Sequence, residues 1–506
     1  MLDEIFKRFV NESPVTVMVG GLLERVLHSE SLDALFDRTA EYQYTRELLF
    51  SSVFEMMSQV VCGIQPSVHA AYQASAPELS VSITSVYNKL NGIEPPTSEA
   101  LVHYSADSLA PIIDHMESAR PALLAGYRLK VVDGNCLAST QHRLKELRPL
   151  SSGALPGKAL VVYDPALQMA LETVCCEDGH AQERSFLDRL FPSIKAGDAW
   201  LADRNFCTRD FLCGIESKSA YFVIRHHQKL IVEEVTPLCQ QGRIDTGVLY
   251  EQRVRIYDAQ GVAHLWRRVV LCLDEPTRDG EIEIVVLTNL PKETVSAQKI
   301  AQLYQKRWTI ERAFQELAEQ LNGEINTLGH PPAALFAFCI ALVAYNIFAV
   351  VKATLRHVHG DEKIEQKVSG YYLAHEIRNT SRGMMIAIPA QQWEIFRQWT
   401  IPQVAELLVY IAEKIKLKRY KKHPRGPKKN DQNDKRIKQN RMFQQRIFSL
   451  NETLKCHLER AGSGHSGSER CHRYPCKCGS PPGRSPCGGL RPARAGPYGS
   501  PAYPSA

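Results

Sequence analysis

The chain lacks the marks of several protein classes. Its first residues, "MLDEIFKRFVNESP", have no basic start followed by an apolar run, so no secretory signal is expected. Its 14 cysteines fall into no regular framework, which in a chain of 506 residues points to reduced thiols in a cytosolic compartment rather than a disulfide scaffold. A strong charge imbalance is missing too: the net charge of +6 is too mild to name a partner from the average, so its distribution must be read instead. Long apolar runs are nearly absent. The one uncharged stretch long enough to span a bilayer is "AALFAFCIALVAYNIFAVV", residues 333–351. It carries Tyr345 and Asn346, opens after Pro331 and Pro332, which suit a first helical turn, and follows an amphipathic helix rather than a positively biased loop. A helix buried in a globular core is therefore expected, over a membrane span.

What is present is the composition of a soluble globular protein, 44% hydrophobic and 23% charged. Residues 1–122 read as an all-helical N-terminal domain: "GLLERVLHSESLDALFDRTA" and "ELLFSSVFEMMSQVVCG" repeat apolar residues at three- and four-residue spacing. In "LSVSITSVYNKLNGIEPP", Ser82 or Thr84 can cap a short helix that Gly92 and two prolines end. That helix reads either as the recognition helix of a helix-turn-helix, exposing Ser85, Asn88 and Lys89 to DNA, or as a plain bundle helix.

From about residue 123 the pattern turns to strands. "YRLKVVDGN" is a β-branched run reaching Asp133, and "KALVVYDPALQMALETVCC" reads as a hairpin. A helix is expected in "AQERSFLDRLFPSI", then a strand in "AWLADRNFCT" ending at Asp203, a helix in "TRDFLCGIES" and a strand in "AYFVIRHH". This order predicts an α/β sheet mixing parallel and antiparallel pairs, over residues 123–228. Residues 229–290 read as a β-rich insertion, and 291–412 return to helix as the second part of the core. The 413–460 segment, with "KIKLKRYKKHPRGPKKN", is densely basic, which reads as a nucleic-acid contact or as a solvated tail. The Gly/Pro/Ser-rich 461–506 segment reads as disordered; Cys471, Cys476, Cys478 and Cys487 match no recognised zinc spacing.

The chemistry concentrates at three points. Asp133 and Asp203 each follow a buried apolar run, so each sits at or near a strand end, where carboxylates on adjacent strands can converge. The third point is "LYQKRWTIERAFQELAEQL", residues 303–321. At about 100° per residue, Ile310, Phe314, Leu317 and Leu321 make an apolar stripe. Tyr304, Arg307, Glu311 and Ala318 line up beside it, within roughly 60° of each other. Either aspartate alone could be a turn residue; in combination with this helix they suit magnesium, which takes oxygen ligands, and two-metal phosphoryl transfer with Glu311 as third ligand.

"VVDGN", "LADRNF" and "YQKRWTIERAF" together resemble the DDE transposases of bacterial insertion sequences, of the insertion sequence family four type. That family's signature is Tyr, two residues, Arg, three residues, Glu, six residues, Lys; Tyr304, Arg307 and Glu311 match it, and Ala318 stands where the lysine falls. "TNLP" before the helix and "HPRGPKK" after the catalytic region are also similar, so the resemblance covers residues 120–430. It implies a ribonuclease-H-like mixed-sheet core in which Asp133, Asp203 and Glu311 are catalytic and hold two Mg²⁺ ions, with Mn²⁺ able to substitute. It further implies cut-and-paste transposition, with double-stranded DNA (inverted-repeat ends and target) as partner, a homodimer in the DNA complex, and a cytoplasmic, nucleoid-associated location. Tyr304 and Arg307 would contact DNA phosphate, and Trp266 of the insertion would stack a flipped base, against the alternative that it packs in the core. A decayed DNA-binding relic and a metal-dependent nuclease without strand transfer are the competing readings.

Overall fold

Strand parity and helix caps organise the chain. The computed structural model describes residues 4–423 except 46, 138–139, 141–156 and 278–279; the side chains of Glu78, Trp308, Ala318 and Glu319 are also outside it. Most of the basic 413–460 segment and the whole 461–506 tail, with its four cysteines, lie outside the described residues. The first helices are α1 (Glu4–Glu12), α2 (Pro14–Val26), α3 (Ser29–Thr39), α4 (Phe50–Val61), α5 (Val68–Ser75), α6 (Ile83–Asn91) and α7 (Pro95–His115). Their starts follow local chemistry: the Ser67 hydroxyl accepts from the Ala70 amide, Ser82 accepts from Ser85, and α2 and α7 open on proline.

Then come β1 (Arg128–Cys136), β2 (Lys158–Asp164), β3 (Met169–Cys176), β4 (Asp198–Ala202), α8 (Arg209–Ser217) and β5 (Tyr221–Arg225). After them run β6 (Glu233–Glu234), β7 (Cys239–Ile244), β8 (Gly247–Tyr257), β9 (Ala263–Leu273) and β10 (Glu283–Thr288). The strands form one mixed sheet in the order β3-β2-β1-β4-β5-β10-β9-β8-β6, with β7 on β8. The pairs β1/β4 and β4/β5 are parallel, and the other pairings are antiparallel. The 229–290 strands are therefore not a body apart: β10 pairs with β5 and carries the core sheet onward. Between β3 and β4 the expected helix is instead a run of 3₁₀ turns over Glu183–Ser193. Its buried Leu187 and Leu190 are three apart, the 3₁₀ period, and Pro192 cannot donate a helical hydrogen bond.

The remaining helices are α9 (Ala297–Gln305), α10 (Thr309–Gln320), α11 (Pro331–His359), α12 (Asp361–Lys367), α13 (Gly370–Ala387), the short α14 (Ala390–Trp393) and α15 (Ile395–Gln398), and α16 (Ile401–Glu413). The sequence suggests one unbroken helix over 303–321, whereas a 3₁₀ turn at Lys306–Trp308 divides it into α9 and α10. Ile310, Leu317 and Leu321 are nevertheless buried, as the apolar stripe requires. The long apolar run forms most of α11, and 94% of its most apolar window is buried inside the protein, so the helix is a core element.

One hydrophobic core joins the N-terminal helices, α11 and one face of the sheet, where Leu129, Val131, Ala199, Leu201 and Val223 project; a second lies beneath Val132, Trp200, Ala202, Phe222 and Ile224. Asn346 supplies the buried polar join of the first. Its amide donates to the Ala170 carbonyl (2.8 Å) and the Ser105 hydroxyl (3.0 Å), and its oxygen accepts from the Ala170 amide (2.8 Å), covering backbone on edge strand β3. Replacing Asn346 by Ala leaves those groups unsatisfied, and urea denaturation is expected to register a loss of about 2–4 kcal/mol with an unchanged slope.

Candidate active site

Side chains on β1 and β4 alternate between the two cores, and that parity sets the site. Leu129 and Val131 face the α11 side, so Asp133, two residues on, faces it too. Val131 pairs with Leu201 across parallel β1 and β4, which sets Asp133 and Asp203 side by side. Asp203 lies just past the end of β4, at the start of the 3₁₀ turn Arg204–Phe206.

Over these carboxylates lies the junction of α9 and α10. The Tyr304 hydroxyl donates to Asp203 Oδ1 at 3.3 Å. Arg307 donates from Nη1 to Asp133 Oδ2 at 3.0 Å and from Nη2 to Glu311 Oε1 at 2.6 Å. The guanidinium thus bridges two carboxylates while only 11% exposed, and its buried Nε has no hydrogen-bond partner among the described residues. The Gly134 amide donates to the second Asp133 oxygen at 3.0 Å. Asp133, Asp203, Glu311, Tyr304 and Arg307 are therefore brought together. Ala318 lies further along α10, its side chain outside the described set.

Crowding shows in the proton affinities. Burial, with Glu311 and Asp203 pushing the same way, raises the Asp133 carboxyl to about 6, against the pull of Arg307 and the Gly134 amide. Burial and then Asp203 hold the Tyr304 hydroxyl well above its ordinary value, so it remains a donor at neutral pH. Burial works against the charge of Arg307, but Asp133, Tyr304 and Glu311 outweigh it and raise its value. The three carboxylates suit a hard divalent cation in kind. Among the described residues, however, no three acidic, His or Cys side chains stand close enough to share an ion, and Arg307 is the cation between two of them.

A second charged cluster adjoins this one. Arg225 follows Val223 on the same sheet face and donates to Glu281 Oε2 at 2.6 Å; Arg204, next to Asp203, reaches Glu281 Oε1 at 3.0 Å. Sequence reasoning missed all three. Alternation along "AYFVIR" could have found Arg225, and "LADRNF" could have found Arg204, but Glu281 lies some eighty residues away with no local signal.

Two expected DNA contacts are placed elsewhere. Trp266 is 1% exposed, packs edge-on to Phe222 at 4.9 Å, and donates its indole N–H to Glu216 at 3.0 Å, so its ring faces the second core and offers no platform for a base. Parity explains it: Trp266 and Val254 pair across β8 and β9 and project on the face opposite Val269 and Leu271. Lys89 is half-buried, with Nζ 4.1 Å from the centre of the Phe36 ring and donating to the Tyr44 carbonyl, while Ser85 and Asn88 are exposed.

Two carboxylates at the ends of parallel strands thus lie beneath a helix junction that bears Arg and Glu. Residues 149–347 match the model of the transposase DDE domain, a stretch that includes Asp203, Tyr304, Arg307 and Glu311 and begins after Asp133. Among solved structures, a chain of the piggyBac transposase synaptic complex with hairpin DNA aligns over 73% of this chain and 82% of that one, at 10% identity and a TM-score of 0.38, too loose a likeness to carry an argument. No curated protein matches the sequence.

A carboxyl raised from 3.8 to about 6 corresponds to about 3 kcal/mol against the ionised form. Because the folded value lies above the unfolded one, this cost is fully present above pH 6 and is relieved as pH falls from 6 towards 4. Asp133→Asn is therefore expected to unfold no earlier than wild type at pH 7.5, and wild type to gain on it in thermal melts at pH 5.

Proposed function

We propose that the chain is a DNA transposase that cleaves and joins strands at inverted-repeat ends, built on a ribonuclease-H-like core of the insertion sequence family four type. The observation that carries this reading is the meeting of Asp133, Asp203 and Glu311 around Arg307 and Tyr304. The transposase-domain match over residues 149–347 and the strand order β3-β2-β1-β4-β5 support it.

In this reading Asp133, Asp203 and Glu311 would hold two Mg²⁺ ions, with Mn²⁺ able to replace them. Bound there, the ions would supply charge for activating a water and for stabilising the leaving 3′-oxygen. The chain's own groups do the rest. Arg307 exchanges its carboxylate partners for a DNA phosphate, to which its planar fork can donate twice. Tyr304, kept protonated, donates to Asp203 and holds that carboxylate in one orientation. With Ala318 in place of the signature lysine, one expected phosphate contact is missing from this helix, and for that reason a DNA-binding relic is retained as a second reading. A homodimer bridging two DNA ends completes the proposal.

The test uses the full chain and duplex DNA carrying the inverted repeats that flank its gene. With Mg²⁺ or Mn²⁺, we expect nicking at the repeat boundary and joining to a target plasmid, both reduced at least about a thousandfold in Asp133→Asn, Asp203→Asn and Glu311→Gln. Full cleavage by any one of these variants removes that residue from the site. Binding without cleavage selects the relic, and cleavage without joining a simple nuclease.

A further inference from the structure

Beside the carboxylate cluster, Arg204 and Arg225 converge on one carboxylate, that of Glu281. Arg225 is 17% exposed and projects from β5 on the face that carries Asp133 and Asp203; Arg204 is directly bonded in sequence to Asp203. Glu281 precedes β10 and is held in place by its own backbone: its amide donates to the Thr277 hydroxyl at 3.2 Å, and its carbonyl accepts from the Thr277 amide at 2.9 Å. Gly280, at φ +80°, allows the approach. Hydrogen bonding from Arg225 holds the Glu281 carboxyl below its usual value, so it is a full anion at neutral pH.

Two guanidinium groups on one planar anion are the arrangement that binds a phosphate diester. Glu281 belongs to the 274–282 connection between β9 and β10, and its carboxylate pairs with Arg204 and Arg225. We infer that Arg204 and Arg225 form a second site for a DNA backbone phosphate at the rim of the carboxylate cluster, and that Glu281 is a built-in phosphate mimic that occupies it until DNA displaces it. This inference rests on DNA being the substrate. Its consequence is selective: a weakly held polyanion leaves Glu281 in place, whereas DNA already gripped by Arg307 delivers a phosphate to the rim and opens the pair.

The measurement is binding of the full chain to a fluorescent random-sequence duplex in EDTA, which separates binding from cleavage. Glu281→Gln keeps the shape and removes the anion, and is expected to tighten binding about tenfold, the weight of one charge-assisted contact. Glu283→Gln removes the same charge from an exposed position two residues on, and is expected to change affinity by less than about twofold. In an Arg204→Gln/Arg225→Gln background, Glu281→Gln is expected to bring no gain. Equal gains from Glu281→Gln and Glu283→Gln, a gain that survives loss of both arginines, or no gain at all would each overturn the inference while leaving DNA as substrate. Absence of duplex binding by every variant, wild type included, would overturn the proposed function along with it.

Discussion

Asp133 and Asp203 lie beneath the helix that carries Glu311, and one guanidinium holds two of these three like charges together. Arg307 bonds Asp133 and Glu311 at once, with little of it in water. In a medium of lowered dielectric such an ion pair is strong but expensive to desolvate. The balance is incomplete even so, since Asp133 still holds a proton up to about pH 6.

That interaction depends on the sheet. Parallel β1 and β4, in the register that pairs Val131 with Leu201, place two aspartates as neighbours, and the α9–α10 junction crosses above them. The junction is tightened by a 3₁₀ turn at Lys306–Trp308, yet Tyr304 and Arg307 still reach adjacent strands. Beyond β5 the same sheet continues through β10, β9 and β8, so Arg204 and Arg225 share the sheet face of Asp133 and Asp203. The core helix α11 seals the opposite end, with Asn346 on edge strand β3.

Much of this was legible in residues 123–228, because strand alternation is local and leaves its period in the sequence. "LKVVD" and "WLAD" announce both their strands and the side to which their acids project. Hydroxyl caps at Ser82, Thr208 and Ser296 mark helix starts for the same reason: the bond they make spans three residues. The errors have a common source. Trp266 has a residue type that binds DNA, but burial decides its role, and burial depends on partners distant in sequence, Phe222 and Glu216. The helix expected at 181–194 failed because three-residue spacing fits a 3₁₀ turn as well as an α-helix, and Pro192 tips the balance.

By itself the sequence determined the local periods: which runs are strands, where helices are capped, which long apolar segment is a core helix, and the spacing of Tyr304, Arg307 and Glu311. Only the tertiary structure decided which charges meet. That Arg307 bridges Asp133 and Glu311, that Tyr304 takes Asp203, and that Glu281 answers Arg204 and Arg225 depend on strand order and register. Coulomb attraction has no period along a chain; it acts wherever packing brings opposite charges within a few ångströms, and packing is settled by the whole core at once.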